Sequence, residues 1–312
     1  MSPVPAFPVP PVPRELTAVS ADGARIHVEL YGPADAPAVV LAHGWTCSIA
    51  FWDAQIAELA AGHRVIVYDQ RGHGRTPLAD HTGRTGCSSD ILADDLEAVL
   101  AATLEPGRQA VVVGHSMGGM AVMAAARRPR FREHAAATLL CSTGSSQLVA
   151  EALVVPLRAG RIRTRLTRRI LLARAPLGPV TPLSTRMLGY GTTGPGAAPE
   201  RVMKCVRIIH DCPRVSRVAW AEVLDGIDLD VGRGELRVPT AVIAGTADRL
   251  TPPVHARALA AALPDCLGIT ELTGVGHMTP VEAPEAVTGA IRELVATYVS
   301  TKSTKSTQED AV

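Results

Sequence analysis

The chain has 312 residues, 47% of them hydrophobic, which is enough to bury one large core. Its formal net charge is +1, so the overall charge indicates neither nucleic-acid binding nor a strongly charged partner. The sequence contains no run of about 18 apolar residues, which is the length that a membrane-spanning helix needs. The six cysteines are scattered and do not have the spacing of zinc ligands. We therefore expect a soluble, cytoplasmic protein with free thiols and no metal.

Two features precede the main repeating pattern of the chain. Residues 1–13 contain six prolines, which favour an extended arm over the unbroken apolar helix of a secretory signal. Leu16–Ser20 and Arg25–Tyr31 are strand-like runs, and Asp22-Gly23 between them predicts that they pair as a hairpin.

From residue 38 onward, short apolar runs alternate with segments of helical spacing. This alternation is typical of a parallel sheet with helices on both faces. The apolar runs predict strands at Ala38–Ala42, Val65–Tyr68, Ala110–Val113, Ala136–Leu140, Thr240–Ala244 and Leu267–Leu272, and the helical spacing predicts helices at Phe51–Ala61, Ser89–Leu104, Gly118–Arg128, Pro253–Leu263 and Pro284–Val299. With the hairpin, the chain is predicted to form an α/β fold with a mostly parallel sheet of eight strands. Asp94, Asp95 and Glu97 are expected on the polar side of the second helix.

The alternation stops at residue 145 and resumes at residue 239. The stretch 145–238 has a mainly helical pattern, broken by glycine and proline, and shows no linkers of its own. We therefore predict one core, residues 14–144 and 239–300, with a helical cap inserted just before the strand that precedes Asp248. The tail 301–312 continues a repeated Ser-Thr-Lys pattern and is expected to be disordered.

The strongest chemical signal is the G-x-S-x-G sequence Gly114-His115-Ser116-Met117-Gly118. It lies between a predicted strand and a predicted helix, which is the setting that a nucleophile elbow requires. Glycines on both sides of the serine remove Cβ atoms that would clash in so tight a turn. The start of the helix offers N–H groups to a developing oxyanion. Ser116 is therefore the expected nucleophile, and His115 beside it is expected to be buried.

A serine hydroxyl needs a general base, and one of the ten histidines is well placed for that role. His277 follows the last predicted strand, which places it at the carboxyl edge of the sheet together with Ser116. The imidazole in turn needs an acceptor that fixes its tautomer. Asp248 follows the preceding strand at the same edge, and Asp225 and Asp228 remain as alternative acids.

The chain order Ser116, Asp248, His277 is the order expected for the α/β-hydrolase fold. The sequence resembles this superfamily from about residue 16 to residue 298. The resemblance is strongest to its lid-bearing branch, which includes serine esterases, monoglyceride-lipase-like enzymes and cofactor-free haloperoxidases. No cofactor is implied by the resemblance.

Two further segments carry the resemblance. His43-Gly44-Trp45 is similar to the family's H-G-x loop, which implies that the backbone N–H groups of Trp45 and Met117 form the oxyanion hole. Residues 69–76 are similar to the family's D-x-R-G-x-G-x-[ST] segment, which implies structural rather than catalytic roles for Arg71 and His73.

These features together predict a serine hydrolase that cleaves a carboxylic ester or thioester of a small to medium apolar substrate through an acyl-enzyme on Ser116. Two alternatives stay open: a biosynthetic acyl-transfer, cyclising or perhydrolase-type enzyme with the same triad, and a non-catalytic binding protein of the same fold. Because the cap has few aromatic residues, we expect an aliphatic or alicyclic acyl group. The residues expected to line its pocket are His43, Trp45, Trp52, Tyr190, Trp220 and Met278.

Residues 152–199 contain eight arginines and neither Asp nor Glu. Ile162, Leu166 and Ile170 repeat every four residues, which gives one apolar stripe if the segment is helical. The simplest interpretation of the arginines is a solvated basic face. The alternative is a patch that draws an anionic partner to the pocket, with a phosphopantetheine-bearing carrier, a carboxylated substrate or an anionic membrane surface as candidates.

Overall fold

The computed structural model describes residues 10–78 and 86–299. Most of the predicted arm and the whole predicted tail 301–312 lie outside these residues. The centre of the fold is one sheet with the strand order β1-β2-β4-β3-β5-β6-β7-β8. β1 and β2 are antiparallel to their neighbours, and β3 to β8 are parallel. The strands are β1 Arg14–Val19, β2 Arg25–Tyr31, β3 Ala38–Ala42, β4 Arg64–Tyr68, β5 Ala110–His115, β6 Ala135–Cys141, β7 Thr240–Gly245 and β8 Cys266–Leu272.

Helices cover both faces of this sheet, so its central strands are buried on both sides. Along β3, Val40 packs in one apolar cluster and Val39 and Leu41 in the other, because successive side chains of a strand point to opposite faces. The helices are α1 Asp53–Leu59, α2 Ser89–Thr103, α3 Met117–Ala125, α4 Pro129–His134, α5 Leu148–Glu151, α6 Arg161–Leu171, α7 Pro182–Thr192, α8 Pro199–Asp211, α9 Arg214–Gly226, α10 Asp230–Glu235, α11 Pro253–Ala262, α12 Thr279–Glu282 and α13 Pro284–Tyr298.

The predicted α/β fold is confirmed, and two helices differ from their predicted bounds by more than one residue at an end. The segment predicted as one helix from Phe51 begins with a 3₁₀ turn over Ile49–Trp52 and continues as α1. The helix predicted to reach Arg128 ends at Ala125, and the short helix α4 follows it. Pro129 explains the break, because a proline disfavours the helical conformation in the residue before it, and Arg128 is extended.

Asp95 does not lie on an exposed polar side of α2, where the sequence predicted it. It is buried and lies 2.7 Å through Oδ1 from Arg71 Nη2. Arg71 is itself fully buried and also donates to Asp22, in the turn between β1 and β2. The Trp220 indole N–H, on α9, donates to the Arg71 carbonyl at 2.7 Å. The Arg71 guanidinium thus joins the hairpin to α2, and the Arg71 carbonyl is bonded to the stretch between β6 and β7.

The stretch between β6 and β7 contains α5 to α10, and we call residues 145–238 the insertion. In the described part of the chain, no helix has both the length and the apolar character needed to cross a membrane. α6 has an unusual orientation in the insertion, because Arg163 and Thr167 are buried while the apolar residues Ile162, Leu166 and Ile170 are exposed. An amphipathic helix ordinarily turns its apolar side inward.

Candidate active site

Ser116 occupies the single-residue corner between β5 and α3. Its backbone has φ 51° and ψ −117°, a conformation that costs free energy in any residue other than glycine. Three hydrogen bonds hold this corner: Ser116 N donates to the Cys141 carbonyl at 2.9 Å, and the Ser116 carbonyl accepts from Met120 N at 3.1 Å and from the Thr143 hydroxyl at 2.7 Å. The strained turn is therefore fixed from β6, from α3 and from the loop after β6.

The two glycines that flank the corner allow strand and helix to approach closely. A Cβ atom on Gly114 would lie 2.5 Å from the Gly118 carbonyl, and one on Gly118 would lie 2.1 Å from the Ala42 carbonyl. Real side chains do not make contacts this short with backbone. Both glycines of the G-x-S-x-G sequence are therefore required by the packing of β3, β5 and α3.

Asp248 and His277 meet at the carboxyl edge of the sheet, beyond β7 and β8. His277 Nδ1 lies 2.8 Å from Asp248 Oδ2, and both side chains are buried. Asp248 Oδ1 accepts hydrogen bonds from the backbone N–H groups of Leu250 at 2.8 Å and Thr251 at 2.9 Å. An ionised carboxylate accepts all of these bonds, so the arrangement favours the tautomer of His277 that carries its proton on Nδ1 and leaves Nε2 free to accept one.

Thr251 is part of this group, although no sequence motif indicates it. Its hydroxyl lies 2.8 Å from Asp248 Oδ2, 3.1 Å from His277 Nδ1 and 2.9 Å from the Ser142 carbonyl. Its position three residues after Asp248 is the one feature of the sequence that could have indicated this contact, because side chains three residues apart in a turn can meet.

The loop that carries His277 is attached to the insertion at the end of α7. The backbone N–H groups of His277 and Met278 both donate to the Thr192 carbonyl, at 2.9 and 3.2 Å. The two backbones come so close that a Cβ atom on Gly276 would lie 2.3 Å from Gly194 N. The insertion and the histidine loop are therefore packed backbone against backbone.

A carboxylate that no sequence motif indicates, Glu282, supports this junction. Glu282 accepts hydrogen bonds from Gly194 N at 2.7 Å, Gly276 N at 3.0 Å and Met278 N at 3.1 Å. Burial raises the pKa of Glu282, while these three bonds act in the opposite direction. From the core side, His115 Nε2 donates to the His277 carbonyl at 2.9 Å. His115 is buried, as expected, and burial lowers its pKa.

Two buried histidines hold the His43-Gly44-Trp45 loop. His43 donates through Nδ1 to the Gly44 carbonyl at 2.8 Å and accepts through Nε2 from Gln70 N at 3.0 Å. His73 donates to the Arg71 carbonyl and accepts from Thr46 N at 3.1 Å. Burial lowers the pKa of His43 to about 4 and that of His73 to about 3, so both rings are neutral near neutral pH.

Through these contacts, residues 69–76 pack beside the His43-Gly44-Trp45 loop and support it. They fix Thr46, whose φ is 62°, directly after Trp45. On the other side of Ser116, Met117 is the first residue of α3. The first N–H groups of a helix have no partner within that helix, so the Met117 amide is free to donate a hydrogen bond to a negatively charged oxygen outside the helix.

A cavity of about 680 Å³ opens above these groups and is lined by both Ser116 and His277. Most of its lining is aliphatic, and it includes leucines of α5, α6 and α7. The charged residues in its lining are Arg186, Arg217 and Asp225. Asp225, one of the two alternative acids, forms an ion pair with Arg168 at 2.7 Å, whereas the partner of His277 is Asp248.

The predicted pocket residues separate into two groups. Trp45, Tyr190 and Met278 line the cavity. The other three do not line this cavity: Trp52 and Trp220 are fully buried in the two apolar clusters, and His43 is fully buried against Gln70. Large aromatic side chains fill volume wherever the core has room, and their distance from the site is not encoded in their sequence position.

One group of side chains in the described residues has spacing compatible with a metal ion: Glu15, His27 and Glu29, on β1 and β2. Arg75 already supplies positive charge there, with Nη2 at 2.6 Å from Glu15 and Nη1 at 3.3 Å from Glu29. His27 Nε2 lies 3.1 Å from Glu29. The ligand atoms of this group thus already have protein partners.

Comparison with known proteins gives a match over most of the chain. A sequence model described as "Alpha/beta hydrolase family" matches residues 39–290. Among solved structures, a thermophilic esterase from Thermogutta terrifontis, determined with malate bound, is similar with a TM-score of 0.72 and 26% identity, over 92% of this chain and 100% of that one.

Two curated proteins are similar to the chain over shorter stretches. The chain is 44% identical over 100 residues to a bifunctional esterase/perhydrolase of Acinetobacter calcoaceticus, which covers 31% of this chain and 34% of that protein. It is 40% identical over 104 residues to a non-heme chloroperoxidase of Streptomyces lividans, which covers 33% and 36%. The chain spans about a third of the length of these curated relatives.

Proposed function

The chain belongs to the alpha/beta hydrolase family, and we propose that it is a serine hydrolase that cleaves carboxylic esters or thioesters through an acyl-enzyme on Ser116. The observation that carries this proposal is the contact of 2.8 Å between His277 Nδ1 and Asp248 Oδ2, in a buried corner whose cavity is also lined by Ser116. An imidazole oriented by a buried carboxylate, above a cavity that a serine on a tight corner also lines, is the arrangement that activates a hydroxyl.

The proposed reaction proceeds in two halves. His277 Nε2 takes the Ser116 hydroxyl proton as Oγ bonds to the carbonyl carbon, and the oxyanion is stabilised by the amides of Trp45 and Met117. The imidazolium then protonates the leaving alcohol or thiol, which departs as the carbonyl re-forms. In the second half, water attacks the acyl-enzyme, His277 takes its proton and passes it to Ser116 Oγ, and the carboxylic acid is released.

The cavity supports an apolar acyl group for this reaction. Its volume of about 680 Å³ is within the usual range of small-molecule pockets. Apart from His115 and His277, the ring-bearing side chains in its lining are Trp45 and Tyr190, and the Tyr190 ring is covered by the Arg249 guanidinium at 4.1 Å. Hexanoyl and octanoyl esters should therefore be better substrates than benzoyl esters, and faster turnover of benzoyl esters would contradict this choice.

A fluorophosphonate probe tests the nucleophile directly. The probe should label the wild-type protein and fail to label Ser116→Ala, which should also lose hydrolysis of p-nitrophenyl esters. Ser146→Ala is the matched control, because it removes a half-buried hydroxyl that lies in the loop before α5, donates to Asp230 at 3.2 Å and does not line the cavity, and it should keep both properties. Labelling that persists in Ser116→Ala would reject the proposal, as would a wild-type protein that neither labels nor hydrolyses.

Perhydrolysis is a second candidate, because the curated relatives named above include an esterase/perhydrolase and a non-heme chloroperoxidase. In this reaction, hydrogen peroxide replaces water: one peroxide oxygen bonds to the acyl carbon, its proton passes through His277 to Ser116, and a peracid leaves. Peracid should then accumulate when ester and hydrogen peroxide are supplied together, and Ser116→Ala should abolish it. If carboxylic acid were the sole product in the presence of hydrogen peroxide, the enzyme would be a hydrolase without perhydrolase activity.

A further inference from the structure

The orientation of α6 is the feature of this structure that the active site does not explain. Ile162, Leu166 and Ile170 form one stripe along the helix and are 73%, 38% and 52% exposed. On the inner side, Arg163 and Thr167 are buried, and Arg163 Nη2 donates to the Ala150 carbonyl at 2.9 Å. Exposed contiguous apolar surface on a soluble domain is typical of a binding surface. The stripe is therefore available for a partner outside the described residues.

The exposed apolar surface continues around the mouth of the cavity. Leu183 and Met187 of α7 are 68% and 66% exposed and line the cavity. Ile170, at the end of the α6 stripe, lines it as well. We call Ile162, Leu166, Ile170, Leu183 and Met187 the rim. Because three of its five residues are shared between the outer surface and the cavity, whatever covers the rim also contacts the opening of the active site.

The charges around the rim are positive. Of the eight arginines in residues 152–199, only Arg168 and Arg174 form ion pairs within the described part of the chain. Five others are exposed, and none of them has a neighbouring acidic residue in sequence, since the whole stretch lacks Asp and Glu. These exposed residues are Arg158, Arg161, Arg165, Arg169 and Arg186.

We propose that the rim docks on an anionic lipid bilayer, with the α6 stripe inserted among the headgroups and the exposed arginines paired with lipid phosphates. A short amphipathic helix with arginines beside an exposed aliphatic stripe is the pattern that lies in a membrane interface, and arginine forks pair well with phosphate oxygens. A second copy of the chain is a poorer occupant, because it would place two such positive surfaces face to face. Docking does not depend on the proposed hydrolase activity.

Co-sedimentation with vesicles tests the docking. The full-length chain should sediment with vesicles of equal parts phosphatidylcholine and phosphatidylglycerol, and it should remain in solution with vesicles of phosphatidylcholine alone. Ile162→Ser with Leu166→Ser should lower the partition coefficient about tenfold or more, since two aliphatic side chains lose their burial. Arg161→Gln with Arg165→Gln should lower it about fivefold per arginine, and high salt should have the same effect in the wild type.

Two control pairs of substitutions make the same kinds of replacement at exposed positions away from the rim. Val19→Ser with Leu267→Ser removes exposed aliphatic residues at the two edges of the sheet, and Arg14→Gln with Arg25→Gln removes exposed charges on β1 and β2. Both control pairs should bind vesicles like the wild type. All variants should hydrolyse a water-soluble ester at the wild-type rate, which shows that they fold. A wild-type protein that binds vesicles but does not hydrolyse the ester would contradict the hydrolase proposal alone.

Three results would overturn the docking proposal. The first is a wild-type protein that binds neither kind of vesicle. The second is equal binding to both, which would leave the arginines without a role. The third is a dimer in the absence of lipid that Ile162→Ser with Leu166→Ser dissociates, because the rim would then be covered by a second copy.

Discussion

Two residues besides His277 contact the Asp248 carboxylate, through three groups. Leu250 N, Thr251 N and the Thr251 hydroxyl all lie within hydrogen-bonding distance of its carboxylate. These contacts fix the carboxylate plane relative to the imidazole, so the orientation of His277 depends on a small pre-formed turn. The sequence predicted Asp248 and His277 from their places after two strands, whereas Thr251 and Glu282 become visible only when loops distant in sequence are brought together.

Replacing Asp248 by Asn should lower kcat by a factor on the order of 10⁴, because the amide no longer favours the imidazole tautomer that accepts the Ser116 proton. The measurement is hydrolysis of a p-nitrophenyl ester at saturating substrate. Asp225→Asn is the matched control, since Asp225 lines the same cavity but pairs with Arg168, and its kcat should change less than tenfold. A loss below tenfold in Asp248→Asn would make another carboxylate the partner of His277.

At the scale of elements, the corner formed by β5, Ser116 and α3 depends on close backbone contacts. The sequence predicted this corner because the G-x-S-x-G spacing and the flanking strand and helix are local properties. It did not predict that Asp95 is buried or that α6 turns its apolar stripe outward. Both depend on which side of a helix meets the rest of the chain, and for Asp95 the deciding partner, Arg71, is 24 residues away.

Gly118→Ala should prevent the corner from forming, since its Cβ would lie 2.1 Å from the Ala42 carbonyl. We expect a loss in the free energy of unfolding of about 4 kcal/mol or more, in the range of the most damaging substitutions. Gly289→Ala is the control: Gly289 lies inside α13 with open space around it, and alanine should stabilise the helix by about 1 kcal/mol. Urea unfolding of both variants measures the difference, and equal stabilities would contradict the described packing.

For the whole molecule, Arg71 connects parts of the chain that are far apart in sequence. It joins the β1–β2 turn through Asp22 and α2 through Asp95, while its carbonyl accepts from Trp220 in the insertion. The hydrogen bond from Arg71 lowers the pKa of Asp22 from its ordinary value near 3.8 to about 2. A lowered pKa means that the folded state favours the charged carboxylate. The stabilisation is therefore complete above pH 3.8 and is lost as the pH falls towards 2.

Asp22→Asn should consequently be less stable than the wild type at neutral pH, and the gap should shrink as the pH falls from about 4 to about 2. Urea unfolding at a series of pH values measures the gap. Asp35→Asn replaces an exposed aspartate on the loop before β3, and it should show no comparable pH-dependent gap. If the gap for Asp22→Asn stayed constant over the whole pH range, the contact with Arg71 would not be the source of the stabilisation.

The junction between Thr192 and the His277 loop limits how far the insertion can be treated as an interchangeable module. Two backbone N–H groups of the loop are bonded to the Thr192 carbonyl, and Glu282 is shared between Gly194 and Gly276. A graft that replaced residues 145–238 with the insertion of a relative would thus also replace the Thr192 carbonyl and the Gly194 N–H, which help to hold the loop of His277. Chimeras that keep residues 192–194 with the recipient core should retain activity, whereas exchanges at the strand ends should lose turnover even when they fold. Diversification of this insertion is therefore easiest in α5 and α6, upstream of that anchor.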